Sequence, residues 1–359
     1  MDKSLAKLIT GMIPVKKWRK DARSYLLGHP EQVHPAYGRI YSPIYNMHAR
    51  ISSLPEGMPE IFDRDGRRME MFFVRDLHSA HFPYGYPAPT RFLWDRYNIA
   101  LDTHFYSHGA MLERMGSPKR RFGMLVESES IVPEDYRIFD ENKGLEKDFD
   151  AVFTYSARIL DNIDNARFFP ACASPWYGTT FGGGTLDESL CERKTKNVSM
   201  ISSAKSLCPL HQFRVDTARR LCREGLADTF GTFNGGPAMA QIDHCFAPYR
   251  YVVVVENDLS PYYFTEKVTN CFAAMCIPIY LGASRIGDFF NENGIIRLSQ
   301  GDDIKKVLAR CGERDYLDRI DAVRDNYRRV LKYVNIWDWL YERYFAPGSG
   351  GLSQKEVGV

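Results

Sequence analysis

One stretch constrains this chain more than any other: Tyr251 to Gly282, which reads YVVVVENDLSPYYFTEKVTNCFAAMCIPIYLG. Val252 to Val255 is an unbroken β-branched run, the composition of a parallel strand covered on both faces. Apolar spacing from Thr265 to Met275 predicts the crossover helix, and Ile277 to Leu281 the strand that follows it. Ligands of open α/β sheets sit at the carboxyl ends of such strands. Between strand and helix lie Glu256, Asn257, Asp258, Ser260, Tyr262, Tyr263, Thr265, Glu266 and Lys267, more hydrogen-bonding groups than a plain connection requires.

Their positions suggest roles. Thr265 can cap the helix, whose free first-turn N–H groups and positive dipole end favour an anion. Lys267 adds a full positive charge. A carboxylate such as Glu266 can accept two hydrogen bonds from a vicinal diol, the usual protein answer to a ribose, and Tyr263 offers an aromatic face and a hydroxyl. The bland alternative is that Glu266 and Lys267 are surface helix residues and the tyrosines are packing.

The order E-N-D-L-S-P-Y-Y-F-T-E-K, an apolar helix and then C-I-P-I-Y-L-G resembles the signature of glycosyltransferase family 10, the α1,3/α1,4-fucosyltransferases. Val255 stands where the family commonly has Phe, and Phe264 where it has a β-branched residue; neither touches the polar positions. Upstream, Lys194 to Leu221 is similar to the family's segment in which a strand runs into an arginine that begins a helix, and the matching residue is Arg214. The resemblance implies that Arg214 and Lys267 grip the diphosphate of the donor, a task suited to a planar fork and a compact charge. It further implies Glu266 on the ribose, and Asn257 and Tyr263 on the ribose, phosphate or sugar nearby. Arg214 could otherwise be one more cation beside Arg219, Arg220 and Arg223 on a solvated helix face.

Arg121 to Pro133, RFGMLVESESIVP, has the form of a strand that ends in a carboxylate. By resemblance Glu127 is the base that deprotonates the acceptor hydroxyl. Glu129 would share its face if the strand continued, which makes it the rival, and a paired carboxylate would raise one of the two pKa values.

With 359 residues, 44% hydrophobic, the chain has length for two cores. We expect an α/β protein of the GT-B type, two Rossmann-like doubly wound domains facing a cleft. The expected division is a basic amphipathic segment at 1–27, an acceptor-side domain at 28–190 and a donor domain at 191–334. A terminal helix at 335–347 that packs back and a disordered tail at 348–359 complete it. Asp150 to Ser156 reads as the last strand of the first domain, and Gly178 to Thr185, GTTFGGGT, as a flexible linker or loop. The histidines and aromatics around His78, His81 and Tyr84 would suit an acceptor sugar or an ordinary structured loop.

A net charge of +2 and the lack of zinc-finger or RNA-recognition signatures argue against a nucleic-acid partner. Eight cysteines without C-x-x-C spacing read as reduced core residues. No apolar run approaches the roughly 20 residues a bilayer demands, so a cytoplasmic protein is expected. Residues 1–27 either contact an anionic membrane surface peripherally or pack as a domain helix. Asp63 with Asp65, and Asp302 with Asp303, read as turns or helix caps rather than metal ligands. If Arg214, Lys267 and a helix terminus carry the leaving diphosphate, no metal cofactor is required. The resemblance therefore implies an inverting, metal-independent transferase that uses GDP-fucose as donor and a glycan as acceptor. None of the residues in these motifs reads the fucose methyl or the guanine, which leaves open another nucleotide sugar or a non-catalytic binding relative.

Overall fold

The computed structural model describes residues 66, 68–76, 87–353 and 357. The 1–27 segment, the Asp63 and Asp65 pair, the stretch with His78, His81 and Tyr84, and residues 354–356, 358 and 359 of the tail lie outside the described residues.

Two parallel sheets follow one another along the chain. The first holds β1 (Glu70–Arg75), β2 (Phe92–Asp95), β3 (Thr103–Ser107), β4 (Arg120–Leu125), β5 (Ala151–Thr154) and β6 (Ala166–Phe168), in the spatial order β2-β1-β3-β4-β5-β6. The second holds β7 (Lys196–Ile201), β8 (Asp228–Phe230), β9 (Tyr249–Val255), β10 (Ile277–Leu281) and β11 (Ile296–Arg297), in the order β11-β10-β9-β7-β8. Among the described residues the first half holds the helices α1 (Pro133–Glu141) and α2 (Ala157–Asn162); the second brings α3 (Pro209–Arg223), α4 (Asp243–Phe246), α5 (Glu266–Ala273), α6 (Ile304–Leu308), α7 (Glu313–Asp318), α8 (Ile320–Val330) and α9 (Ile336–Tyr344). Every strand pair among the described residues is parallel, which demands crossovers and hides both sheet faces. Two doubly wound sheets of this kind are the GT-B architecture.

Strand order fixes where each sheet opens. In the second sheet β8 lies on one side of β7 and β9 on the other, so the winding reverses between β7 and β9. A crevice forms at the carboxyl ends of such a pair because the flanking connections leave toward opposite faces. In the first sheet the reversal falls between β1 and β3.

All five residues of β10 are buried, including Pro278, which lacks an N–H for the ladder. It is tolerated because pairing with the two-residue edge strand β11 begins only at Ile279. In the first sheet, Phe72, Phe105, Phe122 and Phe153 form a cross-strand row with centroids 4.9–5.7 Å apart. Phe345, directly after α9, packs on all four of these rings. At the start of α9, Asp338 accepts the N–H and hydroxyl of Thr90 at 2.7 and 2.6 Å. The C-terminal helix thus returns to the first sheet.

Some expectations are corrected. β5 is not the last strand of the first sheet: three residues, Ala166–Phe168, form β6 beyond it, a run too short to read by periodicity. β3, THFYS, is fully buried although it carries Thr103, His104 and Ser107: Thr103 Oγ1 accepts Arg120 Nε, the His104 ring and the Tyr106 hydroxyl bond each other, and Ser107 Oγ donates to Asp76. GTTFGGGT is no flexible linker but a closed turn, in which Gly178 N–H meets Gly183 O and Gly183 N–H meets Thr179 O, both at 2.8 Å. In the tail, Gly351–Ser353 form a short 3-10 helix, and the Leu352 carbonyl accepts Arg167 Nε. Six of the eight free cysteines are buried; Cys222 is exposed and Cys172 half-buried. Asp303 caps α6, and Asp302 accepts the N–H of Ser299.

Candidate functional site

An open cleft of about 250 Å³ lies at the β7/β9 reversal, with Ile201, Val255, Arg214, Asn257, Glu266 and Lys267 among its walls. Its position follows from the order of the strands, and its chemistry from the two helices that enter it.

Helix α3 begins at Pro209, where a missing N–H costs nothing. Leu210, Arg214, Thr217, Ala218 and Leu221 are buried at helical spacing, while Arg219 and Arg223 are exposed. Arg214 therefore sits on the stripe that faces the sheet, a turn and a half inside the helix and not at its start as expected. Its only side-chain partner among the described residues is Asn257 Oδ1, 3.1 Å from Nη1, and its Nε is buried without a hydrogen bond. Burial pulls its pKa below the usual arginine value, with Glu256 and Glu266 opposing. A buried guanidinium with no carboxylate at ion-pair distance is costly by itself and calls for an anion.

His211, one turn earlier, orients Asn257. Its Nδ1 accepts the N–H of Leu207 at 3.1 Å, so the proton resides on Nε2, which donates to Asn257 Oδ1 at 2.9 Å. The Asn257 oxygen is thereby doubly engaged, and its amide nitrogen is the group left to face a ligand. Burial, and next the charge of Arg214, hold the His211 pKa below 6.5.

Thr265 caps α5 by accepting Lys267 N–H. The first-turn N–H groups expected to be free are all engaged: Glu266 N–H donates to Cys172 O at 2.7 Å, and Val268 N–H to Thr265 O at 3.2 Å. Anion binding therefore falls to side chains. Lys267 Nζ lies 3.2 Å from Glu266 Oε1 and 3.7 Å from Glu256 Oε2. Burial works against its charge, but the two carboxylates outweigh it and raise its pKa. Glu256 is wholly buried at the end of β9; it accepts Thr265 N–H at 3.0 Å and the Thr265 hydroxyl at 2.8 Å, and burial raises its pKa. It positions both the cap and the lysine.

Glu127 does not line this cleft. β4 ends at Leu125, so Glu127 and Glu129 belong to a turn in which Ile131 N–H returns to Ser128 O, and they share no strand face. Glu129 is held by Arg158 at 3.0 Å, whereas among the described residues Glu127 Oε1 accepts only the neighbouring Ser128 N–H, at 2.8 Å. His108 Nε2 accepts the N–H groups of Val126 and Glu127 at 3.2 and 3.1 Å, and its Nδ1 faces Asp135 Oδ2 at 3.2 Å. His108 is fully buried at φ 50°, a strained backbone for a residue with a Cβ. Tyr136 OH donates to Glu127 O at 2.6 Å.

The two loops meet. Ser130 N–H and Oγ donate to Asp258 Oδ2 at 3.1 and 2.7 Å, and Tyr155 packs on Tyr263 at 4.7 Å. Cys172 joins them from the linker: its thiol donates to Val126 O while its carbonyl receives Glu266 N–H. The Cys172 pKa is raised by burial, then by Glu127 and Glu266, which flank it.

The structure thus brings Arg214, Asn257, Glu266 and Lys267 around one cleft and sets Glu127 on the facing loop. Tyr263 is the correction: expected to offer its face to a ligand, it is 2% exposed because Tyr155 covers it. The sequence marked Glu256 only as one member of a dense polar loop, and it did not single out His211, Asn270, Lys205 or Trp176, which line the cleft. A histidine one turn from an arginine on the apolar stripe was the available signal for His211; nothing local marks Trp176. Among the described residues there is no cluster of metal-ligating side chains, and no helix is long and apolar enough to cross a membrane.

The family model described as "Glycosyltransferase family 10 (fucosyltransferase) C-term" matches residues 191–344. Among solved structures, one described as an alpha1,3-fucosyltransferase is similar at 14% identity over 78% of this chain and 87% of that chain, with a TM-score of 0.44. Another, the alpha1,3-fucosyltransferase with GDP-fucose, is 12% identical over 82% and 88%, with a TM-score of 0.39.

Proposed function

We propose that this chain, which belongs to glycosyltransferase family 10 through residues 191–344, is an inverting fucosyltransferase that takes GDP-fucose as donor and a glycan hydroxyl as acceptor. The observation that carries this reading is Arg214, a buried guanidinium without a carboxylate, aimed at a cleft that also holds Lys267 and Glu266. A diphosphate supplies the directly bonded anion that Arg214 lacks, and Glu266 takes the ribose diol. Asn257, fixed by His211, turns its amide donors to the phosphate or sugar.

Glu127 removes the proton from the acceptor hydroxyl as that oxygen attacks the anomeric carbon, opposite the bond to the diphosphate. The sugar–phosphate bond breaks, and the charge that develops on the departing GDP is met by Arg214 and Lys267. One displacement inverts the anomeric centre. Two cations already held in place make a metal unnecessary for departure. Glu127 is favoured over Glu129 because Arg158 holds the latter in an ion pair at 3.0 Å.

Calorimetry without added metal tests the reading. GDP binds the wild-type chain, and both Arg214→Ala and Lys267→Ala abolish the signal. Binding of UDP in place of GDP would reject the fucosyl donor while leaving the fold untouched.

A further inference from the structure

We propose that Trp176 is the platform on which the nucleobase of the donor stacks, so that this linker residue, outside the second sheet, completes the nucleotide site. The inference rests on the reading that the cleft holds a nucleoside diphosphate.

Large exposed aromatics are few among the described residues, and two of them, Trp176 at 36% and Phe181 at 56%, form an edge-to-face pair 5.3 Å apart. Trp176 lines the cleft together with the apolar walls Ile201, Ile242 and Phe246. Its backbone is fixed on both sides. Asn270 Oδ1 accepts the N–H groups of Trp176 and Tyr177 at 2.7 and 2.9 Å, and the Trp176 carbonyl accepts Thr179 N–H at 3.1 Å. The turn closes so tightly over that carbonyl that a Cβ on Gly182 would come within 2.1 Å of it, and Gly182 O in turn accepts Ile242 N–H at 2.9 Å. A glycine-dependent turn bonded to both walls of the cleft holds an otherwise exposed indole in place.

Spacing identifies what the indole meets. Asn270 lies four residues after Glu266 on α5, so the two share a face and stand about 6 Å apart along the axis. Lys267 and Arg214 mark the diphosphate, Glu266 the ribose, and Trp176, held one turn further by Asn270, the next part of the same molecule. That part is a flat aromatic ring, which stacks on an indole irrespective of its exocyclic groups. An acceptor sugar can also stack on an indole, and the comparison of GDP with pyrophosphate separates the two occupants.

The test compares GDP with inorganic pyrophosphate, by calorimetry, on the full chain and on Trp176→Ala, Trp176→Phe and Arg214→Ala. Trp176→Ala should weaken GDP about 10- to 100-fold and leave pyrophosphate unchanged, while Trp176→Phe keeps most of the GDP affinity. Unchanged GDP binding by Trp176→Ala overturns the proposal and leaves the ring to the acceptor. Equal loss of GDP and pyrophosphate also overturns it, since the residue would then only hold the loop. If Arg214→Ala retains pyrophosphate while Trp176→Ala still loses GDP, the diphosphate assignment fails and the stacking platform stands.

Discussion

The carboxyl ends of the two sheets handle charge in opposite ways. At the first, buried charges are closed on one another: Arg75 forks onto Glu113 at 2.7 and 3.2 Å, Asp76 takes Ser107 Oγ at 2.8 Å, and His108 faces Asp135. At the second, Arg214 is buried with a neutral amide as its only bonded partner among the described residues, and the cleft beside it is open. The guanidinium at the second sheet end has no carboxylate at ion-pair distance, and only the more distant Glu256 and Glu266 favour its charge. The Glu127 loop belongs to the first, self-contained side, and reaches the second through Ser130, Asp258 and Cys172.

The largest effect should come from the base. Glu127→Gln is expected to lower kcat by about 10²- to 10⁴-fold with GDP affinity unchanged, whereas Glu129→Gln, which only frees Arg158, should cost less than about tenfold. Steady-state kinetics paired with calorimetry separate the two, and an equal loss in both variants would return the base assignment to Glu129.

Next, the two buried arginine systems should respond with opposite signatures. Arg214→Ala should weaken GDP by about 100-fold, equivalent to about 3 kcal/mol, without lowering the unfolding free energy, because an uncompensated buried charge is removed. Glu113→Gln should destabilise the fold by about 3–5 kcal/mol and leave GDP affinity alone, because it removes the buried carboxylate onto which Arg75 forks. Urea unfolding and calorimetry on both variants provide the crossed comparison; a large stability loss in Arg214→Ala would break it.

A smaller effect is set by pH. The folded pKa of His211 is depressed below 6.5, so the stability it contributes is present above about 6.5 and lost as pH falls through the folded value. Protonation also displaces the Leu207 N–H from Nδ1 and loosens Asn257. Urea midpoints and GDP affinity should both decline from about pH 7.5 to about 5 in the wild type, and more shallowly in His211→Gln. The smallest change is Ser130→Ala, which removes the hydroxyl bond to Asp258 between the two loops and should cost about 1 kcal/mol in unfolding free energy and a few-fold in kcat/KM.

The donor half was legible because its signals are local. A β-branched run, a dense polar loop and an apolar helix in succession have few other folds open to them, and Arg214 occupies a core-facing position that helical spacing alone defines. Glu127 was legible only as a carboxylate after a strand; its distinction from Glu129 lies in Arg158, far along the chain. His108 was not legible, since its role comes from a strained backbone that aims Nε2 at two later N–H groups. The expectation of free N–H groups on α5 failed because the partner, Cys172 O, sits in another segment.

Neighbouring residues and periodicity were enough to dictate the βαβ unit, the alternation that demands parallel sheets, and the residue types suited to a diphosphate and a ribose. Packing between distant segments set the rest: the order of the strands and hence the place of the cleft, the burial that makes Arg214 an uncompensated charge, the covering of Tyr263, and the presence of Trp176 at the rim. Those depend on which remote parts of the chain share the same water-excluded space, and there a charge without a partner, or an indole without a cover, acquires its meaning.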